Sequence, residues 1–132
     1  MRWFPSEAPK AARESGQRAE DRALAHLQRQ GLRLVQRNFR TPGRGGGEID
    51  LIMREPDGTL VFVEVRQRRS GAYGGAAASI GLAKRRRIVF AARHFLARQR
   101  SMPRMRFDAV LIDGDELQWL RAAFDAGDAF SF

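Results

Sequence analysis

The stretch Gly47-Glu48-Ile49-Asp50-Leu51-Ile52-Met53-Arg54-Glu55-Pro56-Asp57-Gly58-Thr59-Leu60-Val61-Phe62-Val63-Glu64-Val65-Arg66 reads as two strands joined by a tight turn. From Glu48 to Arg54 the pattern alternates, with Ile49, Leu51 and Met53 on one face and Glu48, Asp50 and Ile52 on the other. From Thr59 to Arg66, Val61, Val63 and Val65 share one face, and Leu60, Phe62, Glu64 and Arg66 share the opposite one. Pro56-Asp57-Gly58 suits a hairpin loop built as a type I turn followed by a left-handed glycine. That loop fixes the register: Glu55 faces Thr59, Ile52 faces Phe62, Asp50 faces Glu64 and Glu48 faces Arg66. Facing side chains have Cβ atoms about 4.5–5.5 Å apart, so Asp50 and Glu64 repel unless a cation or a proton joins them. Two carboxylates and a backbone carbonyl make a site for a hard cation.

Working outward, Thr41-Pro-Gly-Arg44-Gly-Gly-Gly47 is a loop whose glycines allow close backbone approach to a partner. Leu32–Phe39 reads as a strand. Ser15–Gln30 reads as a helix, with Gly16, Ala19, Ala23, Leu24 and Leu27 at helical spacing and Gly31 as its stop. Residues 1–13, with Pro5 and Pro9 and no periodicity, are expected to form a flexible tail, leaving 14–132 as the one domain. On the other side of the hairpin, residues 67–78 form a Gly- and Ala-rich flexible stretch carrying Arg68, Arg69 and Tyr73, and Ser79 offers an N-cap. The helix after it, to about Gln99, turns Ile80, Ala83, Ile88, Ala91 and Phe95 inward and Arg85, Arg86, Arg93 and Arg100 largely outward. Pro103 ends it. Phe107–Ile112, apolar on both faces apart from Asp108, suits a central strand, and Leu117–Leu120 a short edge strand. The order helix, three strands, helix, strand indicates an α/β layered domain with a mixed sheet and a parallel crossover around the second helix.

Two helix residues bear on the carboxylates. Glu20 lies one turn before Leu24, on the stripe that should face the sheet. Lys84 falls between Ile80 and Ile88 at four-residue spacing, so its ammonium can reach inward. Both can converge on one cleft.

The chain has 132 residues and 43% hydrophobic content, enough for one domain with a core and too little for a second. Lys+Arg number 24 against 15 Asp+Glu, a net charge of +9. Lysine occurs only at Lys10 and Lys84; the rest is arginine, whose planar fork suits phosphate. A basic body followed by the acidic segment Asp108–Phe132 reads as a polyanion binder. The lack of cysteine excludes disulfides and thiolate-ligated zinc, and His26 and His94 have no metal-ligand spacing. Without a signal-peptide core at the N-terminus or a run of ~20 apolar residues, the expectation is a cytoplasmic protein with no membrane partner.

Several residues have simpler readings. Glu48 can pair with Arg66 across the ladder rather than touch a metal. Asp108 suits a strand-end or capping acid, His26 and His94 suit solvated helix positions, and Tyr73 suits a lid contact. Trp119 and Phe124 suit core or dimer packing. Arg85–Arg87 is a solvated face unless neighbouring loops also contact phosphate.

Gly16-x-x-x-Glu20-x-x-Ala23, Arg37-Asn38-Phe39-Arg40, Gly47-Glu-Ile-Asp50-Leu-Ile52, Phe62-Val-Glu64-Val-Arg66, Lys84 with Arg87, Arg106-Phe-Asp108 and Ala123-Phe124 occur in that order. In this set the chain resembles the YraN family of small bacterial proteins, itself similar to archaeal Holliday-junction resolvases and other PD-(D/E)xK nucleases. The resemblance implies a restriction-endonuclease-like αβββαβ core, a mixed sheet flanked by helices. It implies Asp50, Glu64 and position 66 as the nuclease motif, with Glu20 as the helix acid.

The expected activity is metal-dependent hydrolysis of phosphodiesters in DNA, branched DNA included, or RNA, with DNA ahead of RNA. Mg²⁺ or Mn²⁺ would be held by Asp50, Glu64 and the Val65 carbonyl, with Glu20 direct or through water. Arg66 and Lys84 would steady the transition state. Glu48 would stand behind the ligands, and Arg40, Arg44, Arg68, Arg69, Arg85 and Arg86 would track the nucleic-acid backbone. One position departs from the motif: it ends in lysine, whereas this chain has Arg66. Arginine stabilises phosphorane charge but does not deprotonate near neutrality, which leaves Lys84 to take over. Two alternatives stand beside the enzyme: a non-catalytic nucleic-acid-binding module of the same fold, and an assembly module using Leu117–Phe132. A symmetric junction substrate would favour a two-fold homodimer.

Overall fold

The structure, a computed structural model, describes residues 10–68 and 80–127. Its elements are α1 (Lys10–Arg29), β1 (Arg33–Arg40), β2 (Glu48–Arg54), β3 (Leu60–Arg68), α2 (Leu82–Leu96), β4 (Met105–Asp113) and β5 (Glu116–Phe124). The strands form one sheet in the order β1-β2-β3-β4-β5, parallel between β3 and β4 and antiparallel elsewhere. This is the mixed α/β arrangement expected, an αβββαβ order with β5 added at the edge. Among the described residues no helix is long and apolar enough to cross a membrane.

The hairpin closes as its turn residues dictate. Gly58 adopts φ 94° and donates to the Glu55 carbonyl, while the Glu55 amide donates to Thr59 O at 2.9 Å. The ladder then runs Arg54↔Leu60, Met53↔Val61, Ile52↔Phe62 and Leu51↔Val63, the predicted register. α1 covers one face, packing Ala19, Ala23 and Leu27 on Leu51, Met53, Val61, Val63, Val110 and Ile112. α2 covers the other, packing Ile88, Ala91, Ala92 and Phe95 on Ile52, Leu60, Phe62 and Phe107. Phe62, Phe95 and Phe107 meet there with ring centroids 5.5–6.1 Å apart. Such aromatic pairs add to the burial of their area.

Several expectations are corrected. α1 starts at Lys10 rather than Ser15. α2 starts at Leu82 with Gly81 as N-cap, not Ser79, which lies outside the described residues with Arg69 and Tyr73. The chain is extended at Gly81, so Ile80 packs against Ala109 and Leu111 from ahead of the helix, and Ala83 faces solvent instead of the core. β4 is an inner strand, but β3 is the middle one; β5 runs through Phe124, longer than Leu117–Leu120 because its pairing with β4 continues past a bulge to Phe107↔Phe124.

That bulge explains Asp108. Its carboxylate is fully buried, yet it accepts from Arg106 Nε at 2.9 Å, Trp119 Nε1 at 2.9 Å and the amide of Ala122 at 2.9 Å, where φ is 51°. Arg106 in turn donates to Glu55 at 2.5 Å. Asp108 is thus a structural anion that pins the edge strand to β4 and to the end of β2, and Trp119 serves as its donor as well as packing. Asp108→Ala leaves the Trp119 and Ala122 donors without their acceptor, takes one of two carboxylates from the half-buried Arg106 and releases the bulge. Urea unfolding should register a loss of about 3–5 kcal/mol; a loss below 1 kcal/mol would remove the anchoring role.

Candidate functional site

The site forms where the regular alternation of β1 and β2 fails. Arg37 pairs with Leu51 and Phe39 with Ile49, and between them Asn38 takes φ 53°, a left-handed conformation that asparagine tolerates. The twist reverses the faces. Arg37 points to α1, but Phe39, two residues on, packs in the α2-side core, and Ile49 packs there with it instead of joining Leu51 and Met53 as alternation predicts. Asp50 lies at the crossover between Leu51 on one side and Ile49 on the other.

The β2–β3 ladder ends at Leu51↔Val63, so the expected backbone pairing of Asp50 with Glu64 does not form. The Asp50 side chain replaces it: Oδ2 accepts the Val65 amide at 2.8 Å. Glu64, on the next strand, is 6% exposed, and the Lys84 ammonium stands 3.4 Å from its Oε2. Burial first, then the neighbouring Glu64 charge, push the Asp50 carboxyl up to about 7, against the opposing effects of the Val65 amide and Lys84. The two acids are close enough to share a hydrogen bond, as facing carboxylates with a proton between them do.

Glu20 reaches this pair from α1. Its carboxyl is raised by burial and by the Asp50 charge, and held back by Arg37 and Asn38. Arg37 binds Glu20 at 3.4 Å, Asp21 at 2.6 Å and the Gln17 carbonyl. Sequence reading missed both partners as site residues, although Arg37-Asn38 stands in the family motif. The available signal was an arginine and an asparagine on a strand facing the helix acid.

On the α2 side, Glu64, Val65, Arg66, Gln67, Gly81, Ala83, Lys84 and Arg87 line an open cleft of about 550 Å³. Lys84 and Arg87 also border a hollow of about 90 Å³ with Gly46 and Glu48. Of the run Arg85–Arg87, Arg87 therefore belongs to the cleft, whereas Arg85 and Arg86 line a separate hollow with Phe90 and Arg93. Glu48 pairs with Arg40 at 3.2 Å rather than with Arg66. That replacement follows from the early end of the β2–β3 ladder, which leaves Glu48 paired with β1. Arg44 is exposed in the 41–47 loop, and Arg68 ends β3. The cleft's position depends on Gly47, where an added Cβ would stand 2.0 Å from the Arg87 carbonyl oxygen and 3.0 Å from Ala91. The Gly47 amide is tied to Thr41 Oγ1 at 2.7 Å, which closes the loop beneath the helix.

Asp50 and Glu64 are a hard-oxygen donor pair repelled at close range, Glu64 lines a cleft edged by cations, and the pair's chemistry fits a divalent cation such as Mg²⁺ or Mn²⁺. Among the described residues no three carboxylates or histidines converge closely enough to complete a side-chain shell. Any ion there would need backbone oxygen, water or phosphate as further ligands. Glu20 touches the pair electrostatically, from beneath.

A profile of the uncharacterised protein family UPF0102 matches residues 19–112, a span that contains every residue of this site and ends before β5. The UPF0102 protein of Paracidovorax citrulli (strain AAC00-1) is 75% identical over 115 residues, covering 87% of this chain and 85% of its own. That of Acidovorax sp. (strain JS42) is 70% identical over 117 residues, 89% of each chain. The relative from Cupriavidus taiwanensis is 58% identical over 129 residues, 98% of this chain and 96% of its own.

Two outcomes follow for stability. The folded chain binds the Asp50 proton more tightly than the unfolded chain does. That contribution is complete below about pH 4 and is lost as pH climbs through about 7. Asp50→Asn keeps the acceptor for Val65 and removes the charge, so it should flatten the pH slope and be on the order of 2 kcal/mol more stable than the parent at pH 8. Parallel pH–stability curves for the two proteins would show that Asp50 carries no such strain. Gly47→Ala should cost about 1–3 kcal/mol by forcing α2 away from the loop, with amide NMR shifts spreading along 84–91.

Proposed function

From its membership of the uncharacterised protein family UPF0102, the YraN family of the sequence resemblance, and from the site itself, we propose that this chain is a metal-dependent nuclease that hydrolyses phosphodiesters in DNA or RNA. The observation that carries the reading is the Asp50–Glu64 pair: two acids held side by side, of which Glu64 lines a cleft whose other charged residues are Lys84, Arg66 and Arg87. Fold similarity alone would not suffice, because one fold serves many functions. A pair of acids kept together despite its repulsion, facing cations that suit phosphate, specifies a site chemistry.

Asp50, Glu64 and the Val65 carbonyl would hold Mg²⁺ or Mn²⁺, which when bound supplies Lewis acidity to the phosphate and to an attacking water. The protein's own groups do the rest. Lys84, 3.4 Å from Glu64, keeps that carboxylate oriented and presents an ammonium to a non-bridging phosphate oxygen. Arg87 and Arg66 border the same cleft and offer bidentate donors to the phosphodiester. Arginine does not give up its proton near neutrality, whereas lysine can exchange one during turnover, so proton transfer in the cleft falls to Lys84 rather than Arg66. Glu20, fixed by Arg37 and Asn38, tunes Asp50 from the α1 side. The exposed Arg40 and Arg44 lead the backbone toward the cleft. A symmetric junction would require two such chains about a two-fold axis.

Arg66 in the motif's lysine position favours a second reading, a binding module that keeps the fold without turnover. Labelled linear, flapped and four-way-junction DNA and matching RNA, incubated with Mg²⁺, Mn²⁺ or EDTA, separate the two. Cleavage that requires metal, is abolished in Asp50→Ala and falls at least about 100-fold in Lys84→Ala is the expected result. Salt-dependent binding without cleavage, undiminished in Asp50→Ala, would establish the binding module instead.

A further inference from the structure

The second hollow, on the opposite flank of α2 from the cleft, encloses about 470 Å³ between Leu82, Arg85, Arg86, Val89, Phe90 and Arg93 on the helix and Asp125–Gly127 after β5. Its composition is unlike that of a solvated helix face. Among the described residues, three arginines converge on it against one acid, Asp125, whose carboxylate is already engaged by the Gly127 amide at 2.9 Å. The Nε of Arg85 is buried and has no hydrogen-bond acceptor among the described residues, an N–H donor left open beside the hollow. Phe90, 43% exposed, is held edge-on by His94 with centroids 4.7 Å apart, so its ring is positioned without being covered.

We propose that this hollow is a subsite for an unpaired nucleotide flanking the phosphate in the cleft, with Phe90 stacking on its base and Arg85, Arg86 and Arg93 holding its phosphates. The proposal rests on the nucleic-acid reading above and narrows it to substrates with a single-stranded segment. The two hollows flank one helix, and the exposed crest between them carries Ala83, Arg86, Arg87 and Phe90. From Lys84 to Phe90 the helix advances ~9 Å, and its full width is about 10–12 Å. A strand leaving the cleft therefore crosses a short cationic ridge into the hollow. Arginine and an exposed aromatic ring together match what a single strand offers, a charged backbone and free base faces. A paired base in a duplex has its faces stacked and cannot meet Phe90. An acidic peptide would satisfy the arginines but leave the ring without a partner.

The test measures binding in EDTA, so that it does not depend on turnover. Fluorescence anisotropy would follow a short labelled oligothymidylate, its oligouridylate counterpart and a blunt duplex on the full chain. Phe90→Ala should weaken both single strands about tenfold, with Phe90→Trp restoring them, and leave the duplex unchanged. Arg86→Ala and Arg93→Ala should each lower the salt slope of single-strand binding by about 0.7. Equal losses on duplex and single strand, no loss in Phe90→Ala, or displacement by polyglutamate that is insensitive to Phe90 would each overturn the subsite. The cleavage assay above reports separately on the nuclease. A Phe90-dependent single-strand preference without cleavage leaves the subsite standing and removes the enzyme, and cleavage with no such preference does the reverse. Phe90 and the arginines lie outside the buried core, and an unchanged unfolding midpoint confirms that each variant is folded.

Discussion

The amide of Val65 receives its acceptor from the side chain of Asp50 where a regular ladder would supply a backbone carbonyl, and the site follows from that substitution. A buried amide without an acceptor is costly, so the carboxylate is held in place by the strand's own hydrogen-bonding demand. The same bond fixes Asp50 beside Glu64, where burial and mutual repulsion make ionising both unfavourable. The sheet thereby keeps two acids in a proximity that free side chains would leave.

Asp108 shows what a buried acid looks like when the fold has satisfied it. It has three donors within 2.9 Å, one of them from an arginine, and nothing about its surroundings calls for a ligand. Asp50 has the Val65 amide as a donor and a repelling neighbour in Glu64. Both are aspartates in the inner sheet, and they differ in how far each charge is compensated. The family match ends at residue 112, so it includes Asp108 and Arg106 but not Trp119 or Ala122, the partners contributed by β5.

The cations are organised by α2. Gly47 lets the helix backbone come against the loop, and that contact sets the rotation that sends Lys84 and Arg87 to one flank and Arg85, Arg86 and Arg93 to the other. A run of three arginines looks uniform as sequence, yet consecutive helical residues lie about 100° apart and reach different hollows. Reading Arg85–Arg87 as one solvated face therefore missed Arg87 as a cleft residue.

The sequence by itself determined the hairpin register as far as Leu51↔Val63, the element order, the parallel crossover and the nearness of Asp50 to Glu64. Each depends on turn chemistry and on periodicities of 2 and 3.6, which are local and carried by consecutive residues. Only the tertiary structure decided that Ile49 changes face, that Glu48 pairs with Arg40, that Arg37 and Asn38 hold Glu20, and that Ala83 is exposed while Ile80 packs from outside the helix. Those outcomes turn on one left-handed residue in β1, a displaced helix start and contacts between side chains far apart in sequence. Alternation assumes an unbroken strand, and a single positive φ at Asn38 is enough to reverse it.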